Sequence, residues 1–173
     1  MSGFEEVDVI CFSHLRWNFV YQRPQHLMTR LAKKNRVFFV EEPEFDEGTF
    51  YDVLKQRDNL WVIVPHLPRT MDESTRIAHQ REFLSRFLVN MDVRQNVAWY
   101  YTPMALRISD HLNPDLIVYD CMDELTAFKF APQEMKDLEK VLLNKADVVF
   151  TGGYSLYDAK KHQHDNIHPF PSS

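Results

Sequence analysis

Short apolar runs alternate with amphipathic segments along the whole chain of 173 residues. Runs of about five apolar residues are typical of strands that are buried on both faces of a parallel sheet. Six runs are predicted to be strands, and a shorter seventh run is predicted to be an edge strand. They cover residues 7–13, 36–40, 60–64, 96–101, 115–120, 147–151 and 166–169.

The segments between these runs carry apolar residues at helical spacing. Pro24, Pro103 and Pro132 each stand where such a segment begins, and proline suits the first turn of a helix. Strands that alternate with helices predict an α/β fold, here a three-layer α/β/α Rossmann-like domain. We expect a mostly parallel sheet of six or seven strands in the order 3-2-1-4-5-6, with the first strand central. One such domain would occupy residues 1–173.

The stretch from Glu41 to Asn59 breaks this alternation. It contains five acidic residues among its first seven and has no long apolar run. A connection of this length is usually functional or mobile. We expect irregular structure there, with a short helix over about residues 51–56.

Composition excludes several classes of protein. The only glycines are Gly3, Gly48, Gly152 and Gly153, so the chain has neither a G-x-G-x-x-G fingerprint nor a Walker A loop. The net charge of −5 argues against nucleic acid as a partner. Two cysteines, Cys11 and Cys121, lie in apolar runs and are expected to be buried, reduced thiols.

The loop after the first strand, residues 13–23, is longer than most connections of its kind. Ligands of open α/β sheets bind beyond the carboxyl ends of the strands, where this loop is predicted to lie. Aromatic faces next to planar polar groups suit sugar rings. The alternative is that its aromatic residues pack beneath the loop. The candidate binding residues are His14, Arg16, Trp17, Gln22 and Arg23.

Asp120 and Asp123 follow the fifth predicted strand. Two carboxylates at a strand end could cap the next helix, orient a substrate hydroxyl as a general base, or bind a metal ion. A pair of this kind without a third ligand is weak evidence for a metal, so no metal site is assigned.

Two further strand ends carry candidates. His66 follows the third strand between two prolines, and it could have either a structural or a binding role. Gly152 and Gly153 precede a helix that begins near Ser155. Such a turn could bring backbone N–H groups to an anion, or could be a tight turn that only needs glycine.

Four segments together resemble a known family. They are Trp17-x-Phe-x-x-Gln-Arg-Pro-Gln-His-Leu27 and the stretches over residues 37–43, 118–125 and 149–157. The chain is similar in them to the N-terminal domain of bacterial GT-B glycosyltransferases of group 1, the family 4-like enzymes of cell-surface polysaccharide synthesis. The family has two Rossmann-like domains that face each other across a cleft, and the resemblance covers most of this chain.

The resemblance implies roles for the candidates. The first-loop residues and His66 would bind the acceptor, Asp120 and Asp123 would be catalytic, and Gly152, Gly153 and Ser155 would contact the nucleotide part of the donor. The nucleotide-sugar would be a substrate, so no cofactor is expected. A second, donor-binding domain is expected beyond residue 173, and this chain alone would be inactive. Retention of anomeric configuration, a cytoplasmic location, peripheral contact with the inner membrane face and a homodimer are compatible with the resemblance.

A different class of protein also fits a single doubly wound domain. The chain could be a non-catalytic binding module of the flavodoxin-like or receiver-like type, although its first loop is basic and aromatic rather than acidic or glycine-rich. A small hydrolase is less well supported because the G-x-S-x-G motif is absent.

Overall fold

The structure, a computed structural model, describes residues 7–124 and 131–171. Within them, nine strands form one sheet and five α-helices cover it. The strands are β1 (Asp8–Phe12), β2 (Val37–Val40), β3 (Glu44–Asp46), β4 (Phe50–Arg57), β5 (Leu60–Pro68), β6 (Asn96–Tyr100), β7 (Leu116–Cys121), β8 (Val148–Thr151) and β9 (Ile167–Pro169). The helices are α1 (Arg23–Leu31), α2 (Glu73–Asn90), α3 (Leu106–Ser109), α4 (Gln133–Lys145) and α5 (Tyr154–Lys160).

The sheet is parallel apart from β4, and β1 lies at its centre. On one side β1 pairs with β2, which pairs with β5; on the other side the order is β6, β7, β8 and β9. This arrangement confirms the predicted α/β fold and the predicted order of its six main strands. The predicted edge strand is β9, which pairs with β8.

The prediction for residues 41–59 is wrong. No helix forms there; β3 continues past the end of β2 along the same side of β5, and β4 pairs antiparallel with β5 along its other side. The sheet therefore has nine strands instead of six or seven. Both added strands are largely exposed, so neither has the continuous apolar run by which the other strands were recognised.

Alternate residues of each strand point to opposite faces of the sheet, and each face has its own core. Ile10 and Phe12 of β1 point to the face that is covered by α2, α3, α4 and α5. Val9 and Cys11 point to the opposite face, where α1 packs through Met28 and its neighbours. Cys11 and Cys121 are buried free thiols, as expected, and burial raises the pKa of both.

Candidate functional site

The loops after β1, β2, β6 and β7 meet at the carboxyl edge of the sheet, because all four strands run parallel. The edge is therefore the place where polar groups from distant parts of the chain come together. The backbone N–H of Ser13 donates to the carbonyl of Val40, which joins the first loop to the end of β2.

Glu41 links the first loop to the segment after β2. One carboxylate oxygen of Glu41 accepts a hydrogen bond from the backbone N–H of Trp17 at 2.7 Å, and the other pairs with Arg16 at 3.2 Å. The Arg16 guanidinium also donates to the carbonyls of Glu42 and Pro43. Arg16 thus connects two loops of the protein instead of standing free as a ligand-binding cation.

Gln25 in α1, which is fully buried, links the first loop to this helix. Its side-chain amide donates to the carbonyls of Trp17 at 3.0 Å and Val20 at 2.9 Å. Its carbonyl oxygen accepts from the backbone N–H of Gln22 at the start of the helix. Gln22 itself is only partly exposed, and its backbone serves helix initiation.

The expectation that Trp17 lies on a binding surface is wrong. Only 9% of Trp17 is exposed, and its ring lies edge-on to Phe39 at 5.1 Å in the core beneath α1. Phe19 and Tyr21 are the exposed aromatic residues of this loop, at 74% and 53%. Of the three aromatic residues in the loop, Trp17 therefore packs inside the protein, and Phe19 and Tyr21 lie on the surface.

Arg23 and Asp120 form a buried ion pair. The Arg23 Nε donates to Asp120 at 2.9 Å, the Nη2 lies 2.7 Å from the other carboxylate oxygen, and the guanidinium also bonds the carbonyl of Phe170. Burial raises the pKa of Asp120, while Arg23 opposes that rise. Asp120 is completely buried, so the geometry gives no support to the predicted catalytic role of Asp120 or the predicted binding role of Arg23.

His14 and Asp123 differ from this pair because they are accessible. Asp123 is exposed after β7, and its charge acts on the partly buried ring of His14 after β1. Burial lowers the pKa of His14, and Asp123 partly offsets that effect. The Nδ1 atom of His14 is buried and has no hydrogen-bond partner in the part of the chain that the structure describes. The roles predicted for them, acceptor binding by His14 and catalysis by Asp123, stay predictions.

His66 lies between carboxylates of the two strands that were not predicted. Its Nε2 is 2.9 Å from Asp52 of β4, and its Nδ1 is 3.2 Å from Asp46 of β3. Phe50 stacks on the ring at 4.2 Å, and 8% of His66 is exposed. Both ring nitrogens of His66 thus contact carboxylates of the added strands, and this geometry gives no support to the predicted acceptor-binding role.

The glycine turn after β8 is also explained by packing. A Cβ atom on Gly152 would lie 2.5 Å from the carbonyl oxygen of Met122, so only glycine allows this close approach to the β7 loop. Gly153 precedes α5, and its carbonyl accepts a hydrogen bond from the Thr151 hydroxyl. Ser155 is exposed and makes no capping hydrogen bond. The expected contact with a nucleotide thus has no support from the geometry of Gly152.

A cleft of about 170 Å³, which the sequence did not indicate, lies at the carboxyl ends of β1, β2 and β6. Its floor is apolar and includes Phe12, Val40 and Ile108. Its rim is polar and carries side chains from four different segments: Glu41, Glu42, Glu73, Arg76, Gln80, Thr102 and Arg107. No short motif contains these residues, and the only signal for them was the acidic stretch after β2.

Charges of both signs face each other across this cleft. Arg107 pairs with Glu73 at 3.1 Å, and Arg76 lies over the ring of Phe45 at 5.2 Å. Partial burial raises the pKa of Glu42, and Arg16 and Arg107 oppose that rise. Adjacent donors and acceptors above an apolar floor are suited to a ligand with several hydroxyl groups.

Two other features are absent from the part of the chain that the structure describes. Within residues 7–124 and 131–171, no three or more His, Cys, Asp or Glu side chains are placed so that they could hold a metal ion. Over the same residues, the structure contains no helix with the length and apolarity that a membrane span needs.

Comparisons with known proteins identify the fold. No protein-family model matches the chain, and no curated protein matches it in sequence. Among solved structures, it is similar to sucrose-phosphate synthase from Thermosynechococcus elongatus, with 11% identity and a TM-score of 0.67. It is also similar to UDP-forming trehalose-phosphate synthases from Burkholderia xenovorans, with 9% identity and a TM-score of 0.60, and Burkholderia vietnamiensis, with 12% and 0.55.

The chain has the fold of one domain of a GT-B glycosyltransferase. All three matches cover 95% of this chain but only 47–48% of the other chain, so it spans about half the length of these enzymes. The expected resemblance is therefore confirmed at the level of the fold.

Proposed function

We propose that the chain is the acceptor-binding, N-terminal half of a glycosyltransferase that moves a sugar from a nucleotide-sugar donor to a hydroxyl group. The cleft at the carboxyl edge of the sheet is the observation that carries this proposal. Open α/β sheets bind their ligands at this edge, and the fold is that of one half of known sugar transferases.

The acceptor would lie in the cleft. The C–H face of a sugar ring would pack on Phe12, Val40 and Ile108, and its hydroxyl groups would bond the charged rim. The arginines of the rim can donate to hydroxyl groups, the carboxylates can accept from them, and the Gln80 amide can do both. An analogue that lacks a hydroxyl would leave rim groups unpaired and would bind more weakly. A cleft of this size suits a single sugar ring better than an oligosaccharide.

His14 and Asp123 are the proposed chemical groups on this side of the reaction. They follow β1 and β7 at the same carboxyl edge of the sheet, beside the cleft and outside its lining. Burial lowers the pKa of His14 and so favours the neutral ring, which can accept a hydrogen bond from an incoming hydroxyl. Asp123 would stabilise the ring if it took up the proton. The two replace the earlier pairing of Asp120 with Asp123, because Asp120 is enclosed by Arg23.

The donor would be held by a second Rossmann-like domain, which is part of the proposal. Structural neighbours include enzymes described as UDP-forming, so a uridine-diphosphate sugar is the first donor to test. Retention of anomeric configuration is likewise proposed, and NMR of the product anomer would test it. The proposed location is the cytoplasm, where nucleotide-sugars are available.

Saturation-transfer NMR on the 173-residue chain tests the acceptor site directly. Neutral monosaccharides and sugar phosphates would be compared, and we expect one class to receive saturation. The effect should fall at least fivefold in Arg107→Gln, since Arg107 lines the cleft. Arg86→Gln is the matched control, because Arg86 lies on the exposed side of α2 and pairs only with Glu82. Absence of binding throughout the panel, or equal loss in both variants, would contradict the proposed site.

A further inference from the structure

A buried lysine lies between two glutamates on the face of the sheet that α4 and α5 cover. Lys160 is the last residue of α5, and only 3% of it is exposed. Its Nζ atom lies 2.9 Å from a carboxylate oxygen of Glu139 in α4 and 3.1 Å from a carboxylate oxygen of Glu124, which follows β7. None of these three residues lines the cleft.

The Glu139 side of this cluster is held rigidly. The second carboxylate oxygen of Glu139 accepts a hydrogen bond at 2.6 Å from the hydroxyl of Tyr119, a core residue of β7. Burial lowers the pKa of Lys160, but Glu139 and its neighbours outweigh that effect, so the pKa lies above its ordinary value. Lys160 therefore keeps its positive charge at neutral pH, in a place that a helix and a strand determine.

Stability alone is a weak reason for such a cluster. An ammonium group and two carboxylates lose water when they are buried, and this cost offsets much of the attraction between them. Apolar side chains of similar volume often stabilise a core equally well. A buried ion pair can also select one arrangement of a segment. Glu124 ends a stretch, residues 122–124, that is neither helix nor strand, so its arrangement depends on contacts of this kind.

Asp123 lies between two anchored neighbours in this stretch. On one side, Gly152 packs against the backbone of Met122, and its N–H donates to the carbonyl at the end of β7 at 2.8 Å. On the other side, Lys160 holds Glu124. Asp123 itself is exposed. The direction in which its carboxylate projects therefore depends on how the residues before and after it are fixed.

We propose that Lys160 is a positioning residue: through Glu124 it fixes the segment after β7, and so sets where Asp123 stands relative to His14. This inference rests on the proposed function, in which His14 and Asp123 are the chemical groups. Lys160 does not touch the substrate. Reacting groups work only when the residues behind them hold their geometry, and Lys160 supplies that support for Asp123.

The pKa of His14, measured by NMR titration of its ring, reports the position of Asp123. Burial lowers this pKa, and the charge of Asp123 raises it. In Lys160→Met the pKa should fall by about half or more of the fall measured in Asp123→Asn, because a displaced carboxylate no longer favours the protonated ring. The direct effect of removing a cation has the opposite sign, since a lost positive charge would raise the pKa of a nearby histidine.

Lys161→Met is the matched control. Lys161 is the next residue along the chain, and its Nζ atom pairs with the exposed Asp158 at 3.5 Å instead of with Glu124. The variant removes the same charge from the neighbouring position and leaves the contact between Lys160 and Glu124 in place. The pKa of His14 should therefore stay unchanged or rise slightly.

A second variant covers the case that Lys160→Met does not fold. K160M/E139Q removes one positive and one negative charge together, so the net charge of the chain is unchanged and α4 keeps no unpaired carboxylate. The amide oxygen introduced at position 139 can still accept from the Tyr119 hydroxyl. Glu124 again loses its contact with Lys160, and we expect the same fall in the pKa of His14.

The titration needs neither donor nor acceptor, so its failure is distinguishable from a failure to bind sugar in the cleft. The proposal is overturned if the pKa of His14 rises or stays unchanged in either Lys160 variant that folds, or if Lys161→Met lowers it equally. It is also overturned if both Lys160 variants unfold, because the cluster would then hold the whole fold instead of the segment that carries Asp123.

Discussion

The Trp17 ring and the Arg23 guanidinium stabilise the protein from inside, although both belong to a segment that reaches the surface at Phe19. Trp17 fills space next to Phe39, and Arg23 neutralises Asp120 below the carboxyl edge of the sheet. Neither role can be read from a short motif. The partner of Arg23 is 97 residues away along the chain, so only the folded sheet brings the two charges together.

Truncation of Trp17 should therefore act on stability. We expect Trp17→Ala to lower the free energy of unfolding by about 3–5 kcal/mol, because a large buried ring is removed and a cavity remains. Phe19→Ala should change it by less than about 0.5 kcal/mol, since Phe19 is exposed. Urea denaturation of both variants measures the difference. A similar small change in both would mean that Trp17 is not a core residue in solution.

The Arg23–Asp120 pair predicts a strongly non-additive mutant cycle. Arg23→Met and Asp120→Leu should each cost about 3–5 kcal/mol, because each leaves a buried charge without its partner. The double variant should lose less stability than the sum of the two single losses, since no unpaired charge remains. Denaturation of the two single variants and the double variant provides the cycle, and additive losses would contradict the ion pair.

His14 predicts a pH dependence of stability. Because burial lowers its pKa from the ordinary value of 6.5, the unfolded chain binds more protons at this residue than the folded chain just below that pH. The free energy of unfolding should then decrease as the pH falls through 6.5. In His14→Gln this decrease should be smaller, whereas His162→Gln, at an exposed residue, serves as the control. Thermal unfolding between about pH 8 and about pH 5 measures the slopes.

Among the elements, the first loop and α1 act as one unit through Gln25. Its amide is the shared donor for the carbonyls of Trp17 and Val20, so the order of the loop depends on a side chain of the following helix. The sequence motif that contains Gln22, Arg23 and Gln25 is thus explained by loop and helix packing. Its resemblance to the transferase family correctly indicated the fold.

Replacement of Gln25 should loosen this unit without unfolding the sheet. Gln25→Ala removes the donor and leaves buried carbonyls unpaired, which costs about 1–3 kcal/mol. Hydrogen exchange of residues 16–22 should become faster, while exchange in β1 and β6 stays slow. Gln133→Ala is a suitable control, because Gln133 is exposed on α4. Unchanged exchange in the loop would show that Gln25 does not hold it.

Strands of this domain could be predicted to the extent that they are buried on both sides. β1, β2, β6, β7 and β8 are short apolar runs, and their order follows from the handedness of the connections. β3 and β4 are largely exposed edge elements that mix charged and apolar residues, so their pattern resembles a polar connection. The cleft shares this difficulty, because its rim is assembled from side chains in separate loops and helices.

For the molecule as a whole, the proposed function assigns acceptor-side groups and donor-side groups to different halves of a transferase. Alignment of two substrates across a cleft supplies much of the rate of such a reaction. The first loop has no glycine between Ser13 and Arg23, and the Gly152 turn is closed against Met122. Neither turn offers the open backbone N–H groups that hold a diphosphate in nucleotide-binding loops.

The 173-residue chain should accordingly bind UDP and GDP no more tightly than about 1 mM, which corresponds to only about −4 kcal/mol of binding free energy. A protein that contains the proposed second domain should bind its nucleotide about 100-fold or more tightly, because the donor site would then be present. Calorimetry with both nucleotides measures this difference. Gly152→Ala, measured in the same assay, tests whether the turn after β8 contributes to binding. Micromolar binding by the 173-residue chain would mean that this domain is the donor half, and the proposed division of roles between the domains would have to be reversed.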